Sequence, residues 1–467
     1  MVDRRIMTIG GAERVLNGTV ADKLASELRG VLIAIDDPDY DAVRKIWNGL
    51  VGKRPALIAR CTGTADVVAC VRFAREHELL ISVRGGGHSA AGRGVCEKGL
   101  MIDLSLMKGI RVDPTRRAAR AEPGLRLGEF DRETQAFGLA TTLGVASDTG
   151  IAGLTLGGGY GWLDGKYGLA CDNVLSVDVV TAEGQLVTAS AEENADLFWG
   201  IRGAGANFGV VTSFKYQLHP VGPVVGGVAL YPLTQGRETL RFFHEFSATC
   251  PDEVSTVGLL LSSPDGVPAV GIAACYTGPV DEGERILKPL RTFGSPIADL
   301  IAVRRYTEMQ SLFDQNWVPG QLNYWKTSLM RAPSDAAIEA LLEYAQKRPT
   351  PSSVIYFQQA HGAASRVKPT DTAFGHRFDH YDSGPWAIWQ DRADTDRCIR
   401  WARECWESLR PCYEPSAYVN AVDDAISDDD ERVKSAYGSN FERLTLLKNQ
   451  YDPTNLFRLN ANIRPTI

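Results

Sequence analysis

The sequence predicts an α+β fold in two parts, and three observations predict it. Between about residues 54 and 84 a short apolar strand, an amphipathic helix and a second apolar strand follow one another. From 85 to 215 β-branched runs alternate with dense glycine clusters rather than with long helices. After His219-Pro220, strand-like alternation separated by helical stretches takes over, the pattern of an antiparallel sheet backed by helices. The 467 residues suffice for about three folding units at roughly 150 residues each, or for one large α/β domain with an insert. With 44% hydrophobic and 23% charged residues the chain can bury a sizeable core.

Ala56-Leu-Ile-Ala reads as the first strand, Thr62-Gly63-Thr64 as a turn, and Ala65 to His77 as a helix with one apolar face. Leu79-Leu-Ile-Ser-Val-Arg84 closes a β-α-β unit. Val174 to Thr181 and Gly209 to Phe214 are further strands, set among glycines that mark close backbone approach or turns with no room for a side chain. In the second part Gly226 to Tyr231, Val257 to Leu261 and Ala269 to Tyr276 alternate as strands. Helices are expected near 236–248, 280–293 and 334–347. Pro385 to Gln390, with Trp386 and Trp389, adds one more strand. Ser427-Asp-Asp-Asp-Glu reads as a helix N-terminus stabilised by the macrodipole rather than as a metal-binding run. Tyr451 to Ile463 has little helical period and is expected to pack as extended chain.

Composition excludes several functions. Fifty basic residues scattered among 57 acidic ones give a net charge of −7, with no basic patch for nucleic acid or anionic lipid. The N-terminus has two arginines but no apolar run of signal-peptide length, and no stretch reaches the ~18 apolar residues of a membrane span. A soluble cytoplasmic protein is expected. The nine cysteines are an odd number without any Cys-x-x-Cys pair, which favours reduced thiols over disulfides or zinc. Cys398, Cys405 and Cys412 recur every seven residues around Trp401 and Trp406, as the buried stripe of one helix would. His376 and His380 have the i, i+4 spacing of a metal pair, but no Glu follows the first, and the segment reads as loop and strand; no metal is expected.

The strongest chemical signal is Arg84-Gly85-Gly86-Gly87-His88-Ser89 directly after an apolar strand. Three successive glycines let backbone N–H groups converge into an anion nest, to which Arg84 can add charge, as a pyrophosphate requires. It is neither a P-loop nor the Gly-x-Gly-x-x-Gly fingerprint with its later acid. A second cluster runs from Gly150 through Gly153 to Gly157, Gly158, Gly159, Tyr160 and Gly161. A third, Arg202 to Thr212, has Phe208 where a dinucleotide loop would have its last glycine, and a strand follows it.

These motifs, with Ile102-Asp-Leu-Ser-Leu-Met107, Val112-Asp-Pro114, Tyr167 to Asn173, Asp196 to Gly203 and Asn207-Phe-Gly-Val-Val-Thr212, resemble in content and order the FAD domain of the vanillyl-alcohol oxidase superfamily, the PCMH-type domain. Tyr437 to Leu444, Tyr451 to Arg458 and Asn460-Ala-Asn-Ile narrow the resemblance to its berberine-bridge-enzyme-like branch. The first 220 residues also resemble bacterial 6-hydroxy-D-nicotine oxidase-like members. The resemblance implies a two-part FAD-binding domain plus a substrate domain with an antiparallel sheet backed by helices. Residues 1–53 would pack on the FAD domain, 54–220 form it, 221–415 form the substrate domain, and 416–467 return to the FAD domain.

Position by position, it implies FAD bonded covalently through His88, with Arg84, Gly85, Gly86, Gly87 and Ser89 beside it. Further contacts are implied from Gly124, Val145, Thr149, Gly150, Gly153, Gly158, Gly159, Tyr160 and Gly161, and from Asn207, Gly209, Val211, Asn460 and Asn462. Many relatives add a second link through a cysteine, a place held here by Ala146, so attachment is expected to be single. Thr149 falls where relatives tune oxygen access, and its shape, close to valine, favours oxygen.

The implied reaction moves hydride from a C–H to flavin N5 while a base takes the proton of an adjacent O–H or N–H, with O2 as acceptor and H2O2 as product. Tyr418, in a C-terminal strand Tyr418-Val-Asn-Ala-Val-Asp-Asp, is the expected base, although Ala421 replaces the second tyrosine common in relatives. A tyrosine with an ordinary pKa near 10 needs a neighbouring cation or the flavin field to act so. Gln358, Gln359 and His361 are further candidates, and alternation sends Gln358 and Gln359 to opposite faces. Tyr324 and Lys326 share a face and could line the pocket or assist the base. The partners expected are a small organic substrate, with Tyr324, Trp325, Trp386 and Trp389 leaning toward a cyclic one, and O2; homo-oligomerisation stays open. A flavin dehydrogenase or oxidative cyclase using another acceptor is the nearest alternative. A flavin- or ligand-binding protein without turnover is the alternative of another class, and a nicotinamide-dependent dehydrogenase lacks its fingerprint.

Overall fold

The computed structural model describes residues 1–263, 265–422 and 430–467. Strands Leu57–Arg60 and Ile81–Arg84 are joined by the helix Thr64–Glu76, yet they do not touch: Leu100–Asp103 lies between them and pairs in parallel with both. The helix turns Val67, Cys70, Val71 and Ala74, spaced three and four apart, onto this sheet. Val31–Ala34 adds an antiparallel edge, so the first 53 residues contribute a strand to the sheet. The helix Gly18–Glu27 before it is capped by Asn17, whose side chain accepts the Thr19 N–H.

A second, antiparallel sheet has the order Leu186–Ser190, Val174–Val180, Val210–Gln217, Ala118–Ala121, Ile110–Asp113. The helices Ile151–Leu156, Ala195–Ala204 and Phe441–Tyr451 pack in the same core.

The third sheet, nine-stranded and antiparallel throughout, occupies the second part of the chain. Its central strands are Val224–Pro232, Val254–Ser262, Pro268–Tyr276, Val354–Ala360 and His380–Trp389. One face is buried under Gly236–Thr249, Val280–Thr292, Asp335–Gln346 and Thr395–Leu409. The other carries Val228, Val257, Leu259 and Trp386, which cluster with Trp47, Trp162 and Trp317. Alternation along each strand makes this division: Phe357 and Tyr381 lie in the helix-side core, whereas Tyr356 and Trp386 belong to the cluster on the opposite face.

Two expectations need correction. Tyr418 onward is not a strand: Val419–Ala421 is a single 3₁₀ turn. The Asn420 amide donates to Leu154 O at 3.0 Å and to the Tyr418 hydroxyl at 2.8 Å. The first of these bonds ties the turn to the helix Ile151–Leu156, far away in sequence. Cys412 lies beyond the helix that buries Cys398 and Cys405, in the turn Arg410–Cys412. Asp423, Asp424 and Ser427 to Asp429 lie outside the described residues; the helix that follows runs Asp430–Tyr437. No helix among the described residues is long and apolar enough to cross a membrane, and no group of three metal-ligating side chains occurs among them.

Candidate active site

Between the loop after Ile81–Arg84 and the open face of the large sheet lies one cleft of about 1800 Å³, counted with the solvent in its open mouth. Its floor is the loop after Ile81–Arg84. Gly86 to Ser89 line it, and none of their backbone N–H groups meets an acceptor among the described residues. Four successive donors, unpaired among the described residues in a loop that lines the cleft, suit an anion nest. The loop is held by close backbone approach: a Cβ on Gly86 would lie 2.4 Å from Gly150 Cα, and one on Gly150 would lie 2.6 Å from Gly86 N.

Val145, Thr149, Gly150, Gly153, Tyr160, Asn207 and Asn460 border the same cleft, as do Ala146 and Arg93. A Cβ on Gly153 would meet nothing within 4 Å, and Asn460 Oδ1 is buried without a partner among the described residues. A run of unpaired backbone donors, an open glycine wall and an orphaned amide oxygen along one cleft fit FAD.

Other expected cofactor contacts lie behind the wall. Gly124 packs against the carbonyls of Leu104 and Met107, Gly161 against that of Leu143, and Gly209 against Val179 and Val180. Gly158 abuts Phe374, the Gly159 N–H donates to Tyr418, Val211 is a core residue, and Asn462 does not border the cleft. These glycines answer to chain packing, which sequence alone does not distinguish from ligand approach. Arg84 borders the cleft, but its guanidinium is engaged by Asp103 at 3.0 and 2.8 Å and by the carbonyls of Val43 and Lys45. It clamps the strand instead of adding charge to the nest.

His88 faces the cleft with its ring stacked on Trp47 at 4.4 Å and its Nε2 3.2 Å from Asp148 Oδ1. The opposite wall is the open face of the large sheet. There Val257, Gln358 and Asp382 pair in register as one row across three strands, followed by Leu259 and Tyr356 in the next. The Tyr356 hydroxyl donates to Asp382 Oδ2 at 3.0 Å. Burial pushes the Asp382 carboxyl up to about 6 and the Tyr356 phenol well above its usual value. Asp382 Oδ1 is buried without a partner among the described residues. Trp317, Trp325 and Trp386 close the wall, with Trp386 4.8 Å from each of the other two rings.

The residues expected to be catalytic divide between the faces. Gln358 and Tyr418 border the cleft. Gln359 turns to the helix layer, accepting from Thr256 at 2.7 Å and donating to Ser247 O at 2.6 Å. His361 bonds Val254 O at 2.7 Å and packs on Gly165, away from the cleft. Tyr324 lies in the helix-side core beneath Arg403, and Lys326 lies over the Trp406 ring. Trp325, between them, faces the cleft. The Tyr418 hydroxyl accepts from Gly159 N at 3.0 Å and from Asn420 at 2.8 Å, and burial pushes its pKa up.

Sequence reasoning missed Trp47, Asp148, Tyr356 and Asp382. For Asp382 a signal existed: carrying the alternation back from Trp386 in steps of two reaches it on the same face. Trp47 had none, because residues 1–53 hold no motif.

Two family descriptions match: residues 55–190 match "FAD binding domain" and 417–464 match "Berberine and berberine like". The chain is 32% identical to an FAD-linked oxidoreductase of Dictyostelium discoideum over 97% of this chain and 98% of that one. It is also 32% identical to (R)-6-hydroxynicotine oxidase of Paenarthrobacter nicotinovorans over 96% and 99%. The crystal structure of 6-hydroxy-D-nicotine oxidase from Arthrobacter nicotinovorans superposes with a TM-score of 0.85 at 30% identity, covering 93% of this chain and 98% of that one. A chitooligosaccharide oxidase superposes at 0.83 and 25% identity, covering 96% and 100%. With its nest, cleft and both halves of the fold accounted for, the chain belongs to the berberine-bridge-enzyme-like FAD-linked oxidoreductases and is an FAD-dependent oxidase.

Proposed function

We propose that this oxidase dehydrogenates a cyclic, largely apolar organic molecule at a C–H beside an N–H or O–H, with Asp382 as the base and O2 as the acceptor, releasing H2O2. The observation that carries this reading is the Tyr356–Asp382 pair, set across the cleft from His88 within a wall of tryptophans. FAD, held by the nest at Gly86 to Ser89 and by Asn460, supplies the two-electron acceptor.

Asp382, ionised above about pH 6, takes the substrate's N–H or O–H proton on Oδ1. Tyr356 stays neutral and keeps donating to Oδ2, so the carboxylate is aimed before substrate arrives. The buried phenol of Tyr418 is a weaker base than this carboxylate, and its two donors fit it to bracing the loop at Gly159. Trp317, Trp325, Trp386, Val257 and Leu259 exclude water and stack on a ring. That wall has few groups for a polyhydroxylated substrate, and it favours the class named by the 6-hydroxynicotine oxidase relative over the oligosaccharide named by the other. Thr149 lies at the cleft wall, and its small branched side chain favours oxygen as the acceptor. His88 is the residue that bonds the flavin, and Ala146 supplies no second link.

An oxygen electrode and a peroxide assay over N-heterocycles, cyclic amines, aryl alcohols and oligosaccharides test the reading. Stoichiometric O2 loss and H2O2 gain with a cyclic amine or aryl substrate is expected. Turnover only with oligosaccharides, or only with an artificial acceptor under nitrogen, would overturn it.

A further inference from the structure

The His88 imidazole is held on two sides, by the face of Trp47 and by Asp148 at its edge. A carboxylate oxygen only accepts, so Nε2 carries the ring proton and Nδ1 keeps its lone pair. Among the described residues Nδ1 has no hydrogen-bond partner, and the ring borders the cleft.

Asp148 is fixed through both neighbours. Ser147 O accepts from Gly128 N at 2.8 Å while the Ser147 N–H and hydroxyl bond Asp314, and Thr149 O accepts from Leu127 N at 2.9 Å. Asp148 Oδ2 is buried with no partner among the described residues, so the bond to His88 is the one that explains a carboxylate here.

We propose that Asp148 is the positioning residue for covalent flavin attachment: it holds His88 as the Nε2–H tautomer and presents Nδ1 as the nucleophile. This rests on the reading that His88 bonds the flavin. In that step the 8α carbon of FAD gives up one C–H proton to solvent and forms a bond to Nδ1. The ring, momentarily cationic, passes its Nε2 proton to Asp148. The electron pair of the broken C–H bond stays on the isoalloxazine, which is reduced by two electrons; dioxygen takes these and two protons and leaves as hydrogen peroxide.

The test compares wild type, Asp148→Ala, Asp148→Asn and His88→Ala as purified with their flavin. Total flavin per chain is read from the visible spectrum, and the covalent share from acid-precipitated colour and intact mass. Asp148→Ala should bind as much FAD as wild type with the covalent share reduced at least tenfold, a ratio that a general loss of structure would not move. If Asp148→Ala binds no flavin, the nearly isosteric Asp148→Asn decides, with a share reduced at least threefold. A wild-type share in the deciding variant would overturn the proposal. Covalent colour retained by His88→Ala would instead sink the covalent reading beneath it.

Discussion

At the scale of single residues the proposed chemistry turns on Asp382, buried with one oxygen on a tyrosine and the other without a partner among the described residues. A base must be ionised to accept a proton, and burial pushes this carboxyl up to about 6. The pH profile of kcat/KM should therefore rise through about pH 6 and level off above it. Asp382→Asn removes the base and should lower kcat by about 10²–10⁴-fold, the range of general-base catalysis, and abolish that limb. Tyr356→Phe removes a hydrogen bond to the ionised form, so the limb should move to higher pH while the carboxylate survives. Stopped-flow reduction of the flavin under nitrogen reads both without interference from reoxidation. An unchanged limb in Asp382→Asn would assign the proton to another group.

At the scale of elements the cofactor wall depends on two loops whose backbones nearly touch. A methyl group on Gly86 meets Gly150 Cα at 2.4 Å, and neither partner is a flexible side chain that can swing away. Gly86→Ala should lower flavin content at least tenfold and the melting temperature by several degrees, while Gly153→Ala, with nothing within 4 Å in the free protein, should fold normally and weaken FAD binding alone. Flavin absorbance per chain and thermal unfolding of the flavin-free fraction separate the two. This contrast shows what sequence could and could not supply. Runs of glycine announced close approach, and the order of the clusters carried the FAD reading, but whether a glycine faces ligand or a neighbouring loop is a tertiary fact. Gly86 and Gly153 border the cleft, whereas Gly124 packs on the turn after Leu100–Asp103 and Gly209 on the strand Val174–Val180. The strands and helices of the second part were legible because alternation and the 3.6 period are local. Their pairing was not, so Asp382 beside Gln358 emerged only from the register. The same locality misled at Tyr418, where Asn420 binds Leu154 of a helix far away in sequence.

At the scale of the whole molecule the two parts of the chain meet at a buried acid. Asp131, on the helix Leu127–Gln135 of the FAD domain, is fully buried and neither of its oxygens has a partner among the described residues. It lies near Tyr306, on the short helix Tyr306–Gln310 of the second part of the chain, whose phenol burial holds well above its usual value. Burial drives the Asp131 carboxyl well above its ordinary value, so the folded protein keeps it protonated where the unfolded chain ionises it. The sign follows: a raised folded pKa gives stability that is complete below the unfolded value of about 3.8 and is lost as pH rises toward the folded one. Over that window wild type should lose about 1.4 kcal/mol per pH unit through this group alone. Asp131→Asn keeps a similar shape without a proton to lose, so its unfolding free energy should fall less steeply with pH, and the variant should be the more stable of the two in the upper part of the window. Denaturant unfolding at a series of pH values, read on the FAD-loaded proteins, checks this, and parallel curves for the two proteins would show that Asp131 is not held neutral in the folded protein.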